Sequence, residues 1–245
     1  MAKASKSKLE EARPIGEPVA NVPARRPDDR ALFGRWTTIE PVSEARHGHD
    51  LWRSFADSDP DGKLWTYMGY GPFAGEAVFR QWLTEREASV DPHFYAVVPR
   101  EQGKPAGMAS LMRITPEHGV IEIGHIWLSP GLQRTREATD ALFTLMRHAL
   151  DELGYRRLEW KCDALNAASR RSALRLGFTF EGIFRQHMVI KGRNRDTAWF
   201  AILDKEWPRL RAAFQAWLSD GNFDAGGRQQ KSLAALMEEG RPHGG

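Results

Sequence analysis

Hydrophobic residues alternate along some stretches of the chain and recur every three or four positions along others, which predicts a mixture of strands and helices. Several strands follow one another directly, and turn-forming residues such as EQGKP separate two of them as a hairpin. The predicted order is strand (34–42), helices (43–59 and 74–90), hairpin (93–114), strand (119–130), helix (137–154), strand (156–164), helix (166–177), hairpin (178–203) and helix (204–218).

This order predicts an α/β fold of the α+β type, with a mixed, largely antiparallel central sheet flanked by helices. Residues 1–30 are polar, basic and rich in proline, and we expect a disordered tail there. We expect one domain over 31–220. A flexible C-terminal linker should follow over 221–245, with room for a short helix.

Composition limits the classes of function. The 245 residues contain no apolar run long enough for a transmembrane helix, and early glutamates argue against an organelle presequence. Cys162 is the single cysteine, which excludes an internal disulfide framework and favours a reducing, cytoplasmic location. A net charge of +3 is weak support for nucleic-acid binding, and we find no recognition motif for it. We therefore expect neither nucleic acid nor a membrane as a partner.

The segment LSPGLQRTREATDAL, residues 128–142, has the character of an anion-binding turn that runs into a helix. The first N–H groups of a helix lack partners within it, and with the helix dipole they attract an anion. The turn proper has no glycine, and Arg136 stands where one would be expected. The Arg136 guanidinium could add charge near a phosphate. The alternative is an ordinary strand–helix turn with solvated arginines.

Taken together, four segments resemble the GNAT superfamily of acetyl-CoA-dependent N-acetyltransferases. The resemblance covers roughly residues 34–205 and is closest to the branch containing ribosomal-protein N-terminal (alanine) acetyltransferases. It implies the acyl-CoA N-acyltransferase (GNAT) fold, acetyl-CoA as the donor and CoA as the product. The segments are IEIGHIWLSP, QRTREAT (133–139), NAASRRSALRLGFTFEG (166–182) and RDTAWFAI.

The resemblance also implies which residues bind the cofactor. The family turn has the form Gln/Arg-x-x-Gly-x-Gly/Ala; Gln133 and Ala138 match its ends, and Arg136 departs from its first glycine. Asn166 matches an asparagine that contacts the pantetheine arm, although it could instead cap the following helix. The backbone N–H near Leu128 is the implied donor to the thioester carbonyl. The residues implied to line the pyrophosphate are Gln133, Arg134, Thr135, Arg136, Glu137, Ala138 and Thr139.

Acetyl transfer to an amine needs a base, because the amine is protonated near neutral pH. By resemblance the base is Glu122, which precedes Gln133 by eleven residues. His125 is the alternative, since its ordinary pKa suits the task. Strand alternation puts Glu122 and His125 on opposite faces unless a bulge intervenes, and this strand is commonly bulged in the family.

The leaving thiolate benefits from a proton donor. Many family members use a tyrosine four residues before the Gly-Phe pair, where this chain has Ala173. The ribosomal-protein branch implies instead a serine three residues after the asparagine, and Ser169 matches; helix first-turn hydrogen bonding is its other role. The base of that branch falls on Met188, which cannot serve, and this puts more weight on Glu122.

The acceptor pocket should come from the loop KLWTYMGYGPF and the hairpin IFRQHMVIKGRNRD, with Trp65, Tyr67, Arg185 and His187 as its candidate residues. We expect a primary amine, either a small molecule or a peptide N-terminus, to attack directly in a ternary complex, because no activated nucleophile is apparent. No metal is expected, and the protein could be a monomer or a homodimer. The alternatives are a non-catalytic acyl-CoA-binding sensor or partner protein and a nucleic-acid binder that uses the basic tail.

Overall fold

The computed structural model describes residues 15–240, which form one eight-stranded sheet with helices on both faces. The strands are β1 (Leu32–Phe33), β2 (Thr37–Pro41), β3 (His93–Pro99), β4 (Gly107–Thr115), β5 (Val120–Leu128), β6 (Arg157–Asp163), β7 (Thr179–Ile190) and β8 (Arg193–Leu203). The helices are α1 (Glu44–Ala56), α2 (Glu76–Glu87), α3 (Arg136–Arg147), α4 (Ala167–Arg175), α5 (Trp207–Trp217) and α6 (Leu233–Glu239).

The strand order is β1-β2-β3-β4-β5-β6-β8-β7, and every neighbouring pair is antiparallel except β5 and β6. The predicted mixed, largely antiparallel sheet is therefore confirmed. The parallel exception follows from connectivity, because α3 carries the chain from the end of β5 back to the start of β6. No helix within residues 15–240 is long and apolar enough to cross a membrane.

The two parallel strands separate soon after they begin. β5 and β6 pair only from Val120 with Arg157 to Glu122 with Glu159, whereas β6 stays paired with β8 along its whole length. We call the gap beyond Glu122 and Glu159 the fork. A cavity of about 960 Å³ opens there, lined from both strands and from the start of α4. The fork leaves strand edges without sheet partners at the centre of the protein.

A β-bulge at His125 accompanies the fork. Met108 pairs with Trp127 and Ser110 with Gly124, so three steps along β5 oppose two along β4. His125 has a φ of +50°, in the left-handed region that few residues other than glycine adopt. A bulge bends its strand and strengthens the local twist, which turns the end of β5 away from β6.

Two apolar clusters hold the helices onto the sheet. The larger contains buried residues of α3 and α5, such as Leu145 and Phe214, together with Ile121 and Ile123 of β5. The second lies under α1 and α2 and is mostly aromatic, with Phe55, Phe79 and Trp127 among its members. Near the end of β5, Ile126 and Leu128 pack against the larger cluster and Trp127 enters the second, so the position of this strand end is set from both faces of the sheet.

Both ends of the described chain contact the main body. The N–H groups of Ala24 and Arg25 donate to the carbonyls of Pro116 and Leu153, within the segment for which a tail was predicted. Near the other end, α6 buries Leu233 and Met237 in the larger cluster. Residues 1–14 and 241–245 lie outside the described part, and the predicted domain boundaries stay predictions.

Candidate active site

The turn between β5 and α3, residues 133–139, presents free backbone donors; we call it the anion turn. Thr135 is the N-cap of α3, and its hydroxyl accepts the N–H of Ala138 at 3.1 Å. The N–H groups of Gln133 and Thr135 donate to earlier carbonyls of the same connection. Within residues 15–240, the N–H groups of Arg134, Arg136 and Glu137 have no partner. These three donors lie beside the positive end of the α3 dipole, which is the arrangement that binds a phosphate.

The absent glycine is explained by the direction of the Arg136 side chain. Its guanidinium carbon lies 3.9 Å from the ring centroid of Trp36 and 4.7 Å from that of Phe223. Cation–π stacking thus holds the guanidinium between two aromatic rings. Because the arginine side chain is held there, it does not cover its own backbone N–H, and a glycine is not required at this position. That the guanidinium adds charge near a phosphate stays a prediction.

Other arginines supply positive charge at the end of the cavity nearest the anion turn, which we call the donor end. Arg134, Arg171 and Arg175 line the cavity, the last two from one face of α4. Arg175 donates to Thr139 Oγ1 at 3.1 Å, and burial lowers its pKa. Sequence reasoning did not single out Arg171 and Arg175. Their spacing of four residues on a helix that follows the predicted cofactor asparagine is the signal that could have identified them.

Glu122 is buried at the last paired position before the fork and lines the cavity. It is 5% exposed. Its Oε2 lies 2.9 Å from Arg113 Nε and 3.0 Å from Lys161 Nζ. Burial raises the pKa of this carboxyl above its ordinary value, and the two cations oppose the increase. The predicted base therefore has an environment that makes its carboxylate a stronger base than that of an exposed glutamate.

His125, the alternative base, points into the aromatic cluster. Its Nδ1 lies 3.3 Å from the Tyr70 hydroxyl, and its ring packs against Tyr70 and Phe94. Burial lowers its pKa to about 4, and nearby arginines add to this effect. The β-bulge is present, so strand alternation by itself does not exclude His125 from the site. A neutral imidazole with so low a pKa is, however, a weak base.

Ser169 and Asn166 lie at the start of α4 and line the cavity. The Trp160 indole N–H donates to Ser169 Oγ at 3.0 Å, and Ser169 hydrogen bonds the thiol of Cys162, whose pKa is raised by burial. Asn166 Oδ1 accepts the N–H of Ser169 at 3.0 Å, so Asn166 caps α4. The Nδ2 group of Asn166 has no hydrogen-bond partner among residues 15–240 and is free to contact a ligand in the cavity.

The end of β5 presents a backbone donor to the fork. The N–H of Ser129 donates to the carbonyl of Ala106, next to β4. Because successive backbone groups of a strand point to opposite edges, the N–H and carbonyl of Leu128 face the fork. The Gln133 amide donates to that carbonyl at 2.9 Å. Gln133 thus ties the anion turn to the strand end, where the predicted carbonyl donor lies.

The four residues predicted for the acceptor pocket occupy different places. Trp65 is 1% exposed and belongs to the aromatic cluster, so it does not line the cavity. Tyr67 does line it, and its hydroxyl donates to the carbonyl of Leu165 across the opening. His187 lines the cavity and contacts Thr197 Oγ1 at 2.9 Å. Arg185 is exposed on the far side of the β7 bulge, in a separate shallow hollow.

Oppositely charged side chains meet at the fork. Lys161 joins Glu122 to Glu159, with its Nζ 2.6 Å from Glu159 Oε2, and lies 4.0 Å from the ring centroid of Trp199. Sequence reasoning missed Lys161 and Arg113, because nothing along the chain signals their meeting. Within residues 15–240, no group of three or more histidine, cysteine, aspartate or glutamate side chains could hold a metal ion.

Comparison with known proteins agrees with this geometry. Residues 38–179 match the acetyltransferase (GNAT) domain family. The crystal structure of a GCN5-related N-acetyltransferase from Brucella melitensis is 46% identical, with a TM-score of 0.86 over 89% of this chain and 98% of that one. That of a probable GNAT-family acetyltransferase from Chromobacterium violaceum is 42% identical, with a TM-score of 0.72 over 80% and 98% of the two chains.

A curated relative comes from the predicted branch. The Bacillus subtilis (strain 168) protein named "Putative ribosomal N-acetyltransferase YdaF" is 29% identical over 105 residues, which are 43% of this chain and 57% of that protein. The alignment therefore spans less than two thirds of that relative. The family match covers more than half of the chain. It agrees with the predicted fold and with the likeness to solved structures. The chain belongs to the GNAT acetyltransferase family and is an acetyltransferase.

Proposed function

We propose that this acetyltransferase moves an acetyl group from acetyl-CoA to a primary amine, on a small molecule or at a peptide or protein N-terminus, by direct attack in a ternary complex. The observation that carries the proposal is that buried Glu122 and the anion turn open into one cavity. A base and a phosphate site at two ends of a single cavity suit an amine acceptor and a nucleotide-bearing donor.

The donor end fits coenzyme A. The free N–H groups of Arg134, Arg136 and Glu137 would hold the pyrophosphate, with Arg171 and Arg175 beside them. The Nδ2 group of Asn166 would contact the pantetheine arm. When bound, acetyl-CoA supplies an acyl group activated as a thioester. The Leu128 N–H faces the same gap and would donate to the acyl oxygen as negative charge develops there.

Glu122 would take the proton of the acceptor amine, directly or through one water. It must be ionised to do so, and the cations Arg113 and Lys161 keep the charged form accessible despite burial. The raised pKa places the carboxylate closer to the pH at which amines begin to lose protons. His125 also lines the cavity, but it would contribute structure rather than proton transfer, because its pKa of about 4 keeps it neutral and its ring packs against Tyr70.

Ser169 would protonate the leaving thiolate. The Trp160 N–H occupies one lone pair of the Ser169 hydroxyl, so the hydroxyl proton can be donated to the thiolate, and a proton from solvent would then restore the hydroxyl. The hydrogen bond between this hydroxyl and the thiol of Cys162 supports the assignment, because the hydroxyl already interacts with one sulfur atom. A peptide N-terminus as the acceptor has separate support in the name of the Bacillus subtilis relative.

The test has two stages, donor binding and then chemistry. Acetyl-CoA and CoA, but not ATP, should raise the melting temperature, because a ligand at 100 times its dissociation constant adds about 2.7 kcal/mol to the stability of the native state. Glu122→Gln should lower kcat by roughly 10²-fold and leave donor affinity unchanged. Glu159→Gln is the matched control, since Glu159 shares the contact with Lys161 but does not line the cavity.

Each stage has a result that would contradict the proposal. Absence of a melting shift at millimolar acetyl-CoA would remove the donor site. A clear shift without turnover of any amine would instead favour a non-catalytic acyl-CoA-binding protein. Equal losses of kcat in Glu122→Gln and Glu159→Gln would show that the charge network, and not Glu122 itself, supports the reaction.

A further inference from the structure

The acceptor end of the cavity carries an excess of positive charge. Arg113 of β4, Lys161 of β6 and Arg195 of β8 all line it near the fork. Glu122 is the carboxylate that faces them there among residues 15–240. The charged groups at this end therefore comprise three cations and one anion.

Glu159 does not line the cavity, but its Oε2 lies 2.6 Å from Lys161 Nζ and offsets that charge. The excess positive charge therefore rests with Arg113 and Arg195. Glu159 lies behind Lys161 and is paired with Arg157, which also binds Glu181. Asp196 accepts the backbone N–H of Gln186 on the other side of the hairpin.

The remaining groups are a carboxylate at the donor end and two histidines. Asp163 lines the donor end, where it accepts the N–H of Leu165. Burial lowers the pKa of His125 to about 4, so it is neutral at pH 7. His187 is held by Thr197.

Two of the cations have donors to spare. Arg113 uses its Nε for Glu122, and Arg195 uses its Nε for Thr197 Oγ1 at 3.2 Å. Within residues 15–240, the Nη groups of both guanidinium side chains have no partner. The two Nη groups of a guanidinium can donate a pair of parallel hydrogen bonds to the oxygens of one carboxylate or phosphate.

The backbone fixes one of these arginines in place. Arg113 lies at a bulge of β4 with a φ of +48°, and Asp91 accepts the N–H groups of both Arg113 and Ile114. Because Arg113 touches the proposed base directly, an anion bound to its Nη groups would lie within a few ångströms of the reacting amine. The anionic group must then be part of the same residue as the amine or of the next one.

Resting on the proposed function, we infer that the acceptor is an amine with an anionic group close to it. It is either a free amino acid, through its carboxylate, or a peptide N-terminus with an acidic residue in the first two positions. Polycationic amines such as spermidine are disfavoured, since their additional charges would meet Arg113, Lys161 and Arg195.

The test compares matched acceptors with acetyl-CoA as the donor. Ser-Asp-Ala-Ala and Ser-Asn-Ala-Ala, both amidated at the C-terminus, have nearly the same shape and differ mainly in the negative charge beside the N-terminus. Serine and serinamide differ only in the carboxylate, so this pair separates the small-molecule source from the peptide source. We expect kcat/KM to favour the anionic member of one pair by at least about tenfold, because one charged hydrogen bond supplies that ratio.

Arg195→Gln should reduce that ratio to about twofold, mainly by raising KM for the anionic acceptor. Arg193→Gln is the control on the same strand: Arg193 is exposed and does not line the cavity, so the ratio should stay unchanged. Equal use of both members of each pair, or preferred use of spermidine, would overturn the inference and leave the proposed function intact. Failure of every amine to react would overturn the proposed function itself.

Discussion

Lys161 Nζ lies 3.0 Å from Glu122 Oε2 and 2.6 Å from Glu159 Oε2. One buried ammonium group thus joins the two carboxylates that form the last pair of β5 and β6. Its side chain is 5% exposed, so solvent screens these contacts little. Lys161 thus offsets negative charge where the pairing of β5 and β6 ends, and it also favours the ionised form of Glu122, the proposed base.

Lys161→Met should move the acid limb of the pH dependence of kcat/KM to higher pH by about one unit. Removing a neighbouring positive charge favours the protonated carboxyl, so the pKa of Glu122 rises beyond the increase that burial already causes. The base is active when ionised, and activity therefore appears only at higher pH. Lys161→Arg retains the charge and should keep the limb near its original position. An unmoved limb in Lys161→Met would show that Lys161 does not tune the base.

Arg136→Ala should leave the affinity for CoA within about twofold of wild type while lowering stability by about 1 kcal/mol. Alanine keeps the free backbone N–H, whereas it removes the guanidinium that stacks between Trp36 and Phe223. Isothermal titration and thermal unfolding measure the two effects, and the melting temperature should fall by about 2–4 °C. A tenfold loss of affinity would show instead that the guanidinium contacts the cofactor.

Asn166→Ala and Asn166→Asp separate two roles of one side chain. Alanine removes the cap of α4 and should cost about 1 kcal/mol of stability, whereas aspartate keeps the capping oxygen. Both variants lose the amide NH₂ group, so both should weaken CoA binding if Asn166 contacts the pantetheine arm. Wild-type affinity in Asn166→Asp would reduce Asn166 to a helix cap.

Stability should decrease as the pH falls from about 6.5 to about 4. Burial lowers the pKa of His125 from 6.5 to about 4 in the folded protein, so the unfolded chain takes up this proton first. The contribution is fully present above pH 6.5 and is lost as the pH approaches 4, by about 3 kcal/mol in total. Urea unfolding at several pH values measures this slope.

The variant His125→Phe should flatten part of the same slope. Burial also lowers the pKa values of His47, His93 and His148, so these residues keep some pH dependence in the variant. A variant with the full slope of the wild-type protein would show that His125 is solvated rather than buried when the protein is folded.

The order of strands and helices was predictable from the sequence, because hydrophobic period and turn residues are local properties. Among residues 15–240, the prediction omitted before α6 the two-residue strand β1 and three 3-10 helices of three residues each. The predicted positions of Glu122, Ser169, Asn166 and the anion turn came from motifs with fixed spacing, and the structure brings all of them to one cavity. Their catalytic and binding roles stay predictions.

The direction of long side chains was not predictable in this way. The Arg136 side chain stacks on Trp36, just before β2, and on Phe223, near the C-terminus, and the sequence did not indicate either contact. Trp65 was expected in the acceptor pocket but is enclosed by other aromatic rings. Each outcome depends on residues far away in sequence, so no local pattern carries it.

The sequence by itself determined the fold class, the family and the position of the turn proposed to bind phosphate, since each rests on short-range periodicity or on a motif of fixed length. Tertiary structure alone decided the charge of the site. Arg113, Lys161 and Arg195 belong to three different strands, and they meet because β6 leaves β5 at the fork and stays with β8. Electrostatic interactions act through space and not along the chain, so the surroundings of Glu122 emerge only when the sheet is assembled.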